Sequence, residues 1–159
     1  MKNEPKMIED FLGTKQWRLP NGHYHREDGP AVEYKNGGEY WYLNNKLHRE
    51  DGPAVEYRNG NKEWYLNGKL HRENGPACIH KNGDNQWWLN GKLHREDGPA
   101  TEWKDGEKRW YLNNRLYKLQ INNKIVKRDK NFDCETCISQ IVCDYDCQKD
   151  IIWDEYYGK

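Results

Sequence analysis

One heptapeptide sets the terms for this chain. His25-Arg26-Glu27-Asp28-Gly29-Pro30-Ala31 recurs from His48, His71 (with Asn74 for Asp) and His94, each step 23 residues long. Trp41, Trp64, Trp87 and Trp110 keep the same period, as do Leu43, Leu66, Leu89 and Leu112. A partial copy, Trp17-Arg18-Leu19-Pro20-Asn21-Gly22, precedes the first unit, and the pattern decays after Tyr117. A short unit repeated with degenerate ends cannot bury a core alone, so stacking of neighbours must supply it.

The interior of a unit reads as β-structure. Pro53-Ala54-Val55-Glu56-Tyr57 and Lys62-Glu63-Trp64-Tyr65-Leu66 are short aromatic and β-branched runs. They are punctuated by Arg58-Asn59-Gly60-Asn61 and by Asn67-Gly68, a hairpin signal. Asp51-Gly52-Pro53 reads as a third turn, with Gly tolerating positive φ and Pro fixing the next residue. Two or three short strands per unit follow, and the expected fold is mainly β, an elongated antiparallel array of hairpins. Alternation places Trp64 and Leu66 on one face, and sets Val55 and Tyr57 opposite Ala54 and Glu56. The Trp and Leu columns are therefore the expected core.

Composition agrees with a repeat. Leu, Ile, Val and Phe number 25 of 159 residues, too few for an ordinary aliphatic core, but 8 Trp and 11 Tyr supply apolar area. No stretch approaches a membrane span, and the first residues, Met1 to Lys6, include an acid and no apolar run. A cytoplasmic protein is the expectation. The organisation expected is a leader over 1–13, disordered or a short helix, an array over 14–124, and an acidic segment over 125–159.

With these residues in view, the chain resembles the MORN-repeat family. That family also repeats every 23 residues as β-hairpins with Asn-Gly or Asp-Gly turns, a recurrent Trp and a recurrent His. Asn67-Gly68-Lys69-Leu70-His71 and Asn90-Gly91-Lys92-Leu93-His94 carry the closest likeness. The usual His-Gly-x-Gly is replaced here by His-Arg-Glu-Asp-Gly-Pro-Ala, a variant similar to repeat proteins of large viruses and bacteriophages. The resemblance implies a scaffold, a protein-interaction surface or a dimer, in a host cytoplasm if viral. It implies no lipid binding here, because no basic run is present.

The repeated polar residues invite a catalytic or metal reading, which geometry disfavours. If each unit adds two strands to one sheet, equivalent residues lie about 10 Å apart, and column histidines at that spacing cannot share a metal. A catalytic site needs different groups in unequal roles, whereas a repeat multiplies the same ones. His25, His48, His71 and His94 are therefore read as structural, bonded to backbone or paired with acids such as Asp51 or Asp97. The arginine ladder Arg26, Arg49, Arg72, Arg95 sits beside Glu27, Glu50, Glu73 and Glu96, which would largely cancel its field.

Departures between units mark candidate surfaces. Unit three has Asn74 for Asp, Cys78 for Val, Ile79 for Glu and His80 for Tyr, and doubles its aromatic at Trp87-Trp88. Unit four has Trp103 where others carry Tyr34 and Tyr57. Ile79, Trp88, Arg95 and Trp103 are the candidate interaction or ligand residues.

The tail differs in composition. Residues 129–159 hold eight acids and three lysines, a net −5 against +5 before them, so a neutral chain divides into a basic array and an acidic tail. Ile138, Ile141, Val142, Tyr145 and Ile152 recur at helix-like spacings, which predicts a short helical cap. Cys134, Cys137, Cys143 and Cys147 fit free thiols, a tetrahedral zinc site or two disulfides. No other cofactor is expected. The expected function is a non-enzymatic scaffold or protein-interaction module, binding a protein partner or itself. The alternative is a small-ligand or nucleotide-sequestering protein. Nucleic acid is not an expected partner.

Overall fold

The computed structural model describes residues 4–122, 124–128 and 151–153. It is mainly β and antiparallel throughout, as the repeat predicts. Strand β1 (Lys6–Glu9) pairs with β2 (Lys15–Arg18). The first full unit contributes β3 (Val32–Glu33), β4 (Glu39–Tyr40), β5 (Tyr42–Leu43) and β6 (Lys46–Leu47). The second contributes β7 (Val55–Glu56), β8 (Lys62–Glu63), β9 (Tyr65–Leu66) and β10 (Lys69–Leu70). The third contributes β11 (Cys78–Ile79), β12 (Asn85–Gln86), β13 (Trp88–Leu89) and β14 (Lys92–Leu93). The fourth opens with β15 (Thr101–Glu102) and ends in longer strands, β16 (Lys108–Leu112) and β17 (Arg115–Ile121), followed by β18 (Lys124–Arg128) and β19 (Ile151–Trp153).

Units one to three thus have four two-residue strands each rather than two or three. The first two of each unit join a continuous sheet ordered β1-β2-β3-β4-β7-β8-β11-β12-β15-β16-β17-β18-β19. The last two of units one to three form separate hairpins, β5-β6, β9-β10 and β13-β14. The pivot is the tryptophan. The Trp41 N–H donates to Ala54 O of the next unit at 2.8 Å, whereas Trp41 O accepts from His48 N within its own unit at 3.0 Å. Trp64 and Trp87 repeat both bonds. Partners change at that residue, and the ladder breaks there.

The turns follow their residues. Asn67 and Gly68 both have positive φ, 52° and 79°, the backbone of a two-residue turn that matches strand twist. Asn44-Asn45 and Asn113-Asn114 do the same without glycine, because Asn tolerates the left-handed region. Successive turns are linked along the array: Gly68 N donates to Leu47 O, and Gly91 N to Leu70 O, each at 2.8 Å.

Where the core sits corrects the alternation argument. Ala31, Ala54, Ala77 and Ala100 are 0% exposed, and the next residue in each unit (Val32, Val55, Cys78, Thr101) is buried as well. Two consecutive residues turn inward because the chain bends at the alanine before entering a strand only two residues long. Trp41, Trp64, Trp87 and Trp110 are half-buried, as are Leu43, Leu66 and Leu89, and Leu112 is exposed. The expected core columns therefore form an outer layer over an Ala-Val interior.

The ends also differ from expectation. Residues 6–9 of the expected leader are a strand that extends the sheet. Ile151–Trp153 pairs as a strand with Val126–Arg128, so Ile152 lies on no helix face. The rest of the expected cap, with Cys134, Cys137, Cys143 and Cys147, lies outside the described residues.

Candidate interaction site

The repeated polar residues connect units to one another. His25, His48, His71 and His94 each accept, at Nδ1, the backbone N–H of the asparagine that opens the next turn: Asn44, Asn67, Asn90 and Asn113, at 3.1 to 3.3 Å. Nδ1 as acceptor leaves the ring proton on Nε2, which faces Glu27, Glu50, Glu73 or Glu96 at 3.5 to 4.0 Å. The acid beside each histidine is thus this glutamate. Asp51 and Asp97, expected there, are held by arginine instead, two residues back along the same turn.

Each arginine lies over the column tryptophan that precedes it in the chain. The Cζ-to-centroid distances are 3.9 Å for Arg26 on Trp17, 4.1 Å for Arg49 on Trp41, 3.9 Å for Arg72 on Trp64 and 4.1 Å for Arg95 on Trp87. A cation on an indole face gains from the ring quadrupole and covers apolar area with its stem. In three units the guanidinium then takes two acids. Arg49 Nε donates to Asp51 at 2.8 Å, and its Nη1 reaches Pro53 O at 3.3 Å and Glu56 at 3.5 Å. Arg26 and Arg95 repeat this with Asp28 and Glu33, and with Asp97 and Glu102. The hydrogen bond and charge of the arginine hold the Asp28, Asp51 and Asp97 carboxyls below their ordinary range. At Trp110, the last of the repeat column, the cation is Lys118.

The structure does not gather Ile79, Trp88, Arg95 and Trp103. Arg95 is committed to Asp97, Pro99 and Glu102. Trp88 Nε1 donates to Gln86, and its backbone carbonyl accepts from Arg72 N at 3.1 Å. Ile79 sits in the sheet between Lys62 and Asn85. Trp103 lies on the turn side of its unit, with its indole N–H buried and without an acceptor. None of the four lines the groove between units one and two or that between units two and three.

Two features escaped the sequence reading. The first is the array's leading edge. Strand β1 is exposed along its length and has no neighbour on its outer side among the described residues. Asp10 Oδ1 accepts from Leu12 N and Thr14 N, and this turn presents Phe11, 96% exposed, and Leu12, 63% exposed. Met7 and Ile8 add to the same end. The apolar pairs Met7-Ile8 and Phe11-Leu12, outside any repeat, were the available signal.

The second is Arg72. Asn74 and Ile79 stand where sibling arginines find their two acids, and among the described residues the Arg72 guanidinium keeps one hydrogen bond, to Pro76 O at 3.0 Å. The signal was an acid two and seven residues after each arginine, present after Arg26, Arg49 and Arg95 and missing after Arg72. Among the described residues no cluster of His, Cys, Asp and Glu has the makings of a metal site. Compared with known families and curated proteins, the chain matches no family model and no curated sequence.

Proposed function

We propose that this chain is a β-repeat interaction module that binds proteins, its own copies included. The observation that carries this is the leading edge: an exposed strand whose outer side has no neighbour among the described residues, next to Phe11 and Leu12 on a turn closed by Asp10. An open edge offers backbone donors and acceptors to a further strand, and clustered exposed apolar side chains supply the hydrophobic gain. The MORN-like period and the internal pairing of most repeated charges support the reading, since they make the array a rigid frame rather than a set of free reactive groups. The test compares the full chain with a Phe11→Ser/Leu12→Ser variant, by sedimentation over a wide concentration range and by capture from source-cell lysate. A loss of self-association or of specific captured proteins in the variant is expected. A monomeric parent chain whose captured set is unchanged in the variant would overturn the proposal.

A second reading, a small-ligand site, draws on one groove. Tyr34, Tyr40 and Tyr57, with ring centroids 5.4 and 5.9 Å apart, line an opening of about 460 Å³ beside Arg58. A planar anion would stack on the phenols and meet the guanidinium. Titration with phenyl phosphate, followed by NMR, tests this, and shifts scattered outside the groove count against it.

A further inference from the structure

Four arginines repeat one device, and the third copy lacks its acids. Arg26 has Asp28 at 2.9 Å and Glu33 at 3.0 Å, Arg49 has Asp51 at 2.8 Å and Glu56 at 3.5 Å, and Arg95 has Asp97 at 2.8 Å and Glu102 at 3.3 Å. Arg72 has no carboxylate partner among the described residues, although it is seated on Trp64 like the others. Asn74 and Ile79 occupy the two positions from which the acids of the other units reach the guanidinium. Among the described residues, Arg72 Nε and Nη2 have no acceptor. Neither nitrogen is sealed from solvent, so an external acid can reach the positions that internal acids fill in the sibling units.

We propose that Arg72 is a docking point for a carboxylate side chain of a peptide partner, seated where Asp51 and Asp97 sit in sibling units. This rests on the protein-binding reading above, and it uses a different surface. The planar fork of Arg72 suits a carboxylate, and Ile79, where siblings carry a glutamate that reaches Nη1, leaves the fork without its second internal acid. A groove of about 460 Å³, lined by Asp51, Trp64, Leu66, Arg72 and Asn74 among others, gives access. The acids at its rim do not bar a carboxylate. Asp51 is held by Arg49, and Glu50 and Glu73 face His48 and His71 at 3.7 and 4.0 Å. Arg49 and Arg95 bind two carboxylates each with the same glutamate neighbours. Those rim acids do disfavour a phosphate dianion, because the groove's other cation, Arg49, is already paired.

The test follows arginine Nε–H resonances of the full-length protein during titration with acetyl-Leu-Asp-Leu-amide, its Asn counterpart and inorganic phosphate. The Arg72 signal is assigned by its loss in Arg72→Lys. The Asp peptide is expected to shift that signal, with the Asn peptide about tenfold weaker. Asn74→Asp supplies the missing acid from within and is expected to weaken the Asp peptide about tenfold, and Ile79→Glu is expected to act in the same direction. Equal binding of both peptides, undiminished binding to Asn74→Asp and Ile79→Glu, or phosphate outcompeting the Asp peptide would each overturn the inference. A null result here with association through Phe11 intact overturns this site alone.

Discussion

Arg49 and Gly52 compete for one space: a Cβ added to Gly52 would lie 2.9 Å from the Arg49 Cζ. Gly52 is not in the left-handed region, so its glycine serves the seated guanidinium and not the turn. Gly52→Ala is expected to lift Arg49 off Trp41 and cost about 1–2 kcal/mol, the worth of a cation–π contact plus a hydrogen bond. In an Arg49→Ala background the same glycine change is expected to be nearly neutral. A double-mutant cycle from denaturant unfolding measures the coupling. Additive costs would show that the glycine is needed for another reason.

Acid sensitivity follows from the same device. Arg49 and Arg95 hold the Asp51 and Asp97 carboxyls below the ordinary 3.8, first through a side-chain hydrogen bond and then through charge. A carboxyl depressed on folding contributes stability that is fully present above its unfolded value and is lost as pH falls through the folded one. The contribution should therefore persist to about pH 4 and vanish below it. An Asp51→Asn/Asp97→Asn variant is expected to be less stable than the parent at pH 7, with the gap closing below pH 4. Urea midpoints taken from pH 7 to pH 2 check this.

Cys78 sets an alkaline limit. Burial, with Glu63 adding, pushes its thiol from 9.0 up to about 12. An acid whose folded value is raised stabilises fully below its unfolded value, and the contribution is lost as pH rises from about 9 to 12. Cys78→Val, which restores the residue of units one and two, is expected to stay within about 1 kcal/mol at pH 7 and to exceed the parent's stability above pH 9. Alkaline melting curves of the two proteins decide it. Slow modification of the Cys78 peptide by a thiol reagent at pH 8, accelerating on unfolding, is the companion expectation.

How far the sequence could be read depends on how local each signal is. The period and the turns were legible because Asn67-Gly68 states its own backbone conformation and does so every 23 residues. The core was not. Alternation assumes a strand long enough to alternate, whereas Val55–Glu56 is two residues and the bend at Ala54 turns both Ala54 and Val55 inward. Gly52 looked like a turn residue because a glycine cleared for a distant side chain and a glycine at positive φ are identical in one dimension. The losses at Asn74 and Ile79 were visible, but only the fold places both on Arg72.

The alanine column offers a direct check on that corrected core. Ala54 is 0% exposed, so Ala54→Leu has no room without displacing neighbouring strands, and overpacking should cost about 1–3 kcal/mol. At solvent-facing Lys69 the same Ala-to-Leu size increase, from a Lys69→Ala parent, should be tolerated within about 0.5 kcal/mol. Thermal melts that ranked the two sites equally would return the core to the tryptophan layer.

Gly38 breaks a link that the following units make. At the equivalent positions Asn61 Oδ1 accepts from Lys81 N at 3.0 Å, and Asp84 Oδ1 accepts from Lys104 N at 2.8 Å. Gly38 has no side chain to offer, and the Arg58 N–H it would reach has no partner among the described residues. Its φ lies outside the left-handed region, and a Cβ there would meet Tyr34 and Tyr40 at 3.4 and 3.5 Å, so a side chain fits with little adjustment. Gly38→Asn is therefore expected to stabilise the protein by about 1 kcal/mol, through a new hydrogen bond and a less flexible unfolded chain. Gly38→Ala isolates the second part and should give less. Slower exchange of the Arg58 amide in Gly38→Asn, and not in Gly38→Ala, would identify the bond itself. Because the asparagine also fills the tyrosine groove, the same variant should lose any response to phenyl phosphate while its stability rises, a pairing that simple damage to the fold cannot produce.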